Sequence, residues 1–122
     1  MNISNYLRVW LSAIRPKTLG AAVSPILIGT TMAFGEGKGH TLAALAALLG
    51  ALLIQIGTNF SNDYFDYIKG ADTEERLGPV RVTQSGQVRP KTMLWNFVMV
   101  FGLATLVGIY LVFRGGWPIV MI

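Results

Sequence analysis

Apolar residues run through three stretches, Thr18 to Gly35, Thr41 to Asn62 and Thr92 to Phe113, in which no Asp, Glu, Lys or Arg occurs. Each is near the ~20 residues that an α-helix needs to cross the hydrocarbon of a bilayer, so the pattern predicts three transmembrane helices. Upstream, Tyr6, Trp10 and Ile14 recur at helical spacing beside Arg8 and suit a short helix at the membrane interface, ended where Pro16 opens the first span. A plain lead-in segment would serve equally well. Because further spans follow, the first reads as an uncleaved helix, not as a signal peptide. Pro25 and the pair Thr30 and Thr31 lie inside it, where neighbouring helices or hydroxyls satisfy freed backbone groups, and a kink near Pro25 is expected.

The connections follow the same logic. Gly35, Gly37 and Gly39, interleaved with Glu36, Lys38 and His40, form a polar turn between antiparallel helices, with His40 read as solvated loop. The second span is rich in small residues, and Ala43, Ala47 and Ala51, with Ala46 and Gly50 alongside, are spaced for close helix packing. Trp95 and Trp117 stand where interfacial anchors belong. After Gly115 and Gly116 the chain turns apolar again and stops at Ile122, as at the start of a fourth span. Residues 1–122 thus read as the N-terminal part of a single all-α, multi-pass transmembrane helix bundle, with spans at 18–35, 41–62 and 92–113 and an Asp-rich loop at 63–91.

Composition supports a lipid environment. Of 122 residues, 52% are hydrophobic and 13% charged, against roughly 25% charged in soluble domains, and the mean hydropathy is +0.52. The net charge of +4 does not point to nucleic acid, because the basic residues flank apolar segments and form no stripe with interleaved aromatics. Arg8, Arg15 and Lys17 precede the first span, and Lys69, Arg76, Arg81, Arg89 and Lys91 lie between the second and third. Lys38 and Arg114 fall on the opposite side, so the positive-inside rule makes the N-terminus and the 63–91 connection cytoplasmic. With no cysteine, the chain holds neither a disulfide nor a thiolate metal site.

One constellation carries chemistry. Gln55, Asn59, Asn62, Asp63 and Asp66 follow one another at the end of the second span, and at ~100° per residue they share one helix face. Polar side chains are costly in lipid, so Gln55 and Asn59 imply a face that lines a pocket. Gly70 then interrupts the helix and leaves the chain free to fold Asp72 back over the same mouth. Carboxylates and an amide without His or Cys suit a hard cation, and Mg²⁺ is commonly held through one or two carboxylates plus substrate phosphates. The segment from Thr73 to Lys91 adds Arg76, Arg81, Arg89 and Lys91, and an arginine guanidinium binds phosphate bidentately, with Arg81 after the Gly78-Pro79 turn the preferred clamp. A merely salt-bridged loop, with five acidic and five basic residues between Asp63 and Lys91, would leave the polar stripe inside the span unexplained.

Asn62-Asp63-Tyr64-Phe65-Asp66 resembles the first Asp-rich motif of the UbiA-type intramembrane prenyltransferases. The longer run NDYFDYIKGAD, followed by RLGPVRVTQSG and preceded by RPKTL at Arg15 to Leu19, is similar to the branch that prenylates 1,4-dihydroxy-2-naphthoate in menaquinone biosynthesis. The resemblance covers about Arg15 to Lys91. It departs from the usual even N-x3-D-x3-D spacing, since position 70 is Gly and the next carboxylate is Asp72.

The resemblance implies a cell-membrane bundle of about nine helices, completed by a second Asp-rich motif not contained in these residues, so this chain is expected to be inactive alone. It implies a polyprenyl diphosphate donor and an aromatic acceptor, with Asn62, Asp66 and Asp72 holding Mg²⁺ and Asp63 supporting. Arg15, Lys17, Lys69, Arg76 and Arg81 would face the diphosphate, and Gln55, Asn59 and Tyr67 would line the pocket. Tyr64, Phe65 and Tyr67 are otherwise read as packing residues. A related enzyme acting on 4-hydroxybenzoate or homogentisate is the alternative acceptor reading. A transporter or structural fragment is the alternative of another class, and it calls for acidic groups inside the first or third span, where none occurs.

Overall fold

The computed structural model describes residues 3–69, 83 and 88–121. They form α1 (Ile3–Ile14), α2 (Pro16–Gly35), α3 (Thr41–Ile68), α4 (Pro90–Gly115) and α5 (Trp117–Met121), with no strand among the described residues. α2, α3 and α4 are each long and apolar enough to cross a membrane. The three-span reading therefore holds, and the short leading helix is present as α1.

The ends of these helices follow from local chemistry. Pro16 and Pro90 open α2 and α4, where the missing N–H of proline costs nothing. His40 is not free loop: its Nδ1 accepts a hydrogen bond from the Ala43 N–H at 3.1 Å and caps α3. α2 runs through Pro25 as one helix. Gly116, at φ 77, takes a backbone conformation that suits glycine and separates α4 from α5.

The expected boundaries are too short at the Asp-rich end. α3 continues six residues beyond 62, to Ile68, so Asp63 and Asp66 stand on the helix face that carries Gln55, Asn59 and Asn62, as their spacing predicts. Packing explains the extension. The Tyr64 and Phe65 rings lie 5.6 and 5.8 Å from the ring of Phe97 on α4, contacts that hold this last segment of α3 against α4.

α3 is the central element and touches α1, α2 and α4. The buried cluster of Ala13, Phe60, Val88, Met93, Phe97 and Val100 gathers the end of α1, the second half of α3 and the first half of α4. Trp10 meets Phe60 edge-on with ring centroids 5.6 Å apart, which fixes α1 to α3. α1 thus divides into a packed side with Trp10 and Ala13, an exposed apolar row of Ile3, Leu7 and Leu11, and a polar side with Ser4, Arg8 and Ser12. Such a helix suits an interface between protein, lipid and water.

Two glycines seven residues apart, Gly50 and Gly57, set the approach of α3 to α4. A Cβ at 57 would stand 2.8 Å from the Phe101 ring, and one at 50 would stand 3.3 Å from Val107 Cγ1. Ala43, Ala44 and Ala47 instead line a cleft of about 330 Å³ with α2 residues Pro25, Gly29 and Ala33. Overpacking costs ~1–3 kcal/mol, so Gly57→Leu should lower the thermal midpoint of the detergent-solubilised protein clearly, and Gly50→Ala only slightly. Equal midpoints for wild type and Gly57→Leu would show that α3 and α4 do not meet there.

Candidate functional site

Four chain segments meet at one end of the bundle: the end of α1, the start of α2, the last three turns of α3 and the approach to α4. Their basic residues Arg8, Arg15, Lys17, Lys69, Arg89 and Lys91 therefore gather at one end, and Lys38 and Arg114 stand at the ends of α2 and α4 remote from it. The separation anticipated from charge alone is a property of the fold.

The polar stripe of α3 passes through this end, and its members differ in exposure. Asn59 and Asp63 are buried, at 3% and 2% exposed. Gln55 and Asp66 are half-buried, and Asn62 is exposed. The stripe thus straddles the boundary between the packed and open sides of α3. Asn62 and Asp66, one turn apart, look outward from the packed side and present an amide and a carboxylate on neighbouring turns.

The amide nitrogen of Asn59 is taken up by the elbow between α1 and α2. Nδ2 donates to the Ile14 carbonyl at 2.8 Å and to Thr18 Oγ1 at 2.9 Å. Thr18 Oγ1 in turn donates to the Arg15 carbonyl at 2.9 Å. Between them, Arg15 adopts a left-handed conformation at φ 55 and ψ 71, the one non-glycine residue at positive φ among those described. This conformation costs a β-carbon-bearing residue ~1–2 kcal/mol, and it lets the chain turn sharply from α1 into α2.

Asp63 is a buried carboxylate, and burial of a charge is costly unless polar partners surround it. Its Oδ1 accepts a long hydrogen bond, 3.4 Å, from the backbone N–H of Thr83, which is itself buried. Residue 83 is thereby held against α3 only five residues before Val88 enters the core.

The remaining expected site residues are placed as follows. Arg15 is half-buried at the elbow, Lys17 is exposed on the first turn of α2, and Lys69 is exposed at the C-cap of α3. Tyr67 is 40% and Phe65 44% exposed, and the rings of Tyr64 and Phe65 lie beside Phe97. Asp72, Arg76 and Arg81 lie outside the described residues. Among the described residues no three His, Cys, Asp or Glu side chains cluster as a metal site. The donors that α3 offers are hard oxygens from Asn62, Asp63 and Asp66, a set that suits a cation completing its shell with water and phosphate oxygens.

Thr18 and Thr83 were not singled out from the sequence. Thr18 lies in the RPKTL run, a hydroxyl three residues after Arg15 just inside a helix start, which is a recognisable pattern for a local side-chain to backbone bond. Thr83 contributes a backbone N–H, for which no sequence signature exists.

Residues 22–122 match the UbiA prenyltransferase family. Among curated proteins, the chain is 40% identical over 105 residues to 1,4-dihydroxy-2-naphthoate octaprenyltransferase of Escherichia coli, covering 86% of this chain and 34% of that protein. The enzymes of the same name from Haemophilus influenzae and Bacillus subtilis are 36% and 37% identical, over 90% and 88% of this chain and 36% and 35% of their own lengths. The chain therefore spans about a third of the length of the curated relatives it matches. No solved structure matches it. With a helical multi-pass fold, the Asn62 to Asp66 motif on α3 and a family match over most of its residues, this chain belongs to the UbiA prenyltransferase family.

Proposed function

We propose that the protein containing this chain transfers a polyprenyl group from polyprenyl diphosphate to 1,4-dihydroxy-2-naphthoate, at a site that α3 opens toward the cytoplasm. The observation that carries the reading is the stripe on α3 ending in exposed Asn62 and half-buried Asp66, in a chain 40% identical to an enzyme named for this reaction. The gathering of basic residues at the same end supports a cytoplasmic orientation, and the family supports the cell membrane as its place.

Asn62 and Asp66, with Asp72 from the following segment, would hold Mg²⁺, and Asp63 would support them from beneath. When bound, the ion neutralises charge on the departing diphosphate. The rest falls to the protein. Arg15, Lys17, Lys69, Arg76 and Arg81 bind and orient the diphosphate oxygens, and the apolar helices keep the polyprenyl tail in the bilayer. The bond between the prenyl C1 and the diphosphate oxygen breaks, and its electron pair leaves with the diphosphate. An electron-rich ring carbon of the acceptor forms the new bond to C1 and then loses its proton. Fixed charges placed where negative charge develops lower the barrier without reorganising.

The test uses membranes containing the product of the whole reading frame that encodes these residues. Labelled polyprenyl diphosphate with Mg²⁺ should label 1,4-dihydroxy-2-naphthoate in preference to 4-hydroxybenzoate or homogentisate. Preferred labelling of either of the other acceptors would move the protein to another branch of the family, and labelling of none would remove the enzymatic reading.

A further inference from the structure

We infer that Asn59 is a positioning residue, which acts by bolting the α1–α2 elbow to α3 so that Arg15 and Lys17 face a diphosphate held at Asn62 and Asp66. The inference rests on the functional reading above and deepens it.

The geometry is specific. An amide side chain has two N–H donors, and Asn59 spends both on the elbow: one on the Ile14 carbonyl at 2.8 Å, the other on Thr18 Oγ1 at 2.9 Å. The Thr18 hydroxyl is used in both directions, since it accepts from Asn59 and donates to the Arg15 carbonyl. The three bonds enclose residue 15 and brace a left-handed backbone that arginine adopts only when its surroundings impose it. Asn59 is 3% exposed, and a buried amide of this kind is retained only where its hydrogen bonds are made.

Position on the helix gives the clamp its function. Asn59 is one turn before Asp63 and two turns before Asp66 on the same face of α3. The elbow it grips is thus brought to within two helical turns of the outward carboxylate, and the residue it strains is a cation, with a second, Lys17, two positions on. A relaxed elbow would leave α2 spanning the membrane but free Arg15 to swing away from the mouth of α3. The consequence falls on recognition of the diphosphate, not on the aromatic acceptor.

The experiment compares wild type, Asn59→Ala, Thr18→Val and Thr18→Ser in membranes carrying the whole reading frame. Asn59→Ala and Thr18→Val should each raise KM for polyprenyl diphosphate about tenfold, the scale of one lost buried hydrogen bond, with the acceptor KM within about twofold. Thr18→Ser, which keeps the hydroxyl, should restore the donor KM. Spin labels at exposed Ser12 and Lys69 give a readout independent of turnover, and their distance distribution should broaden in Asn59→Ala and Thr18→Val. If Asn59→Ala does not assemble, Thr18→Val carries the comparison. An inactive wild type would refute the functional reading itself. An active wild type with an unchanged donor KM in both variants, or with a narrow distance distribution in both, would overturn the positioning role alone.

Discussion

Asp66→Asn is expected to lower kcat/KM for polyprenyl diphosphate by about 10²–10³-fold, the usual cost of removing one group that stabilises developing charge in a transition state. Asp66 is half-buried at the edge of the packed side of α3, so an amide of the same shape should leave the thermal midpoint nearly unchanged. Two controls separate the loss from unfolding. The variant should give the same membrane yield as wild type, and raising Mg²⁺ should recover only part of the rate. A variant with full activity would show that the carboxylate at 66 has no part in the reaction.

Asp63→Ala is expected to act through the fold as well as the chemistry. The carboxylate is 2% exposed and accepts the Thr83 N–H, so its removal leaves a buried donor unsatisfied, at ~1–3 kcal/mol. It should lower the thermal midpoint and reduce transfer about tenfold or more, because residue 83 loses an attachment to α3. Asp63→Asn keeps an oxygen that can accept from Thr83 and should retain most of the stability. Wild-type midpoints in both variants would show that Asp63 does not tie residue 83 to the bundle.

The two carboxylates, three residues apart, thus have separate environments that their spacing alone does not reveal. Sequence pattern placed Gln55, Asn59, Asn62, Asp63 and Asp66 on one face because 3.6-residue periodicity is a local property. How that face divides between interior and surface depends on where α1, α2 and α4 settle, which is a property of distant residues. The Asn59 to Thr18 bond joins positions 41 apart in the chain, and the Thr83 to Asp63 bond joins positions 20 apart.

The spans were legible for a stronger reason. Charge is excluded from hydrocarbon so severely that three uncharged runs define three helices, whatever packs against them. Their ends were not. The apolar run stops at Asn62, yet the helix continues to Ile68, with Tyr64 and Phe65 against Phe97 on α4. His40 was read as solvated for a similar reason, since a cap is defined by the N–H that it accepts from and not by its own identity. The small-residue seam was seen in the alanines at 43, 47 and 51 with Gly50 alongside, and Gly57, opposite the Phe101 ring, extends it along α4.

In the proposed reaction the oxygens of Asn62 and Asp66 hold a divalent ion together with a diphosphate. Mn²⁺, which replaces Mg²⁺ at oxygen-rich sites and is visible by electron paramagnetic resonance, tests it directly. Purified protein from the whole reading frame should bind Mn²⁺ tightly only when an unreactive prenyl thiolodiphosphate is present, and Asp66→Asn should abolish that signal. Mn²⁺ binding that is indifferent to both the analogue and Asp66→Asn would show that Asn62 and Asp66 do not hold the ion.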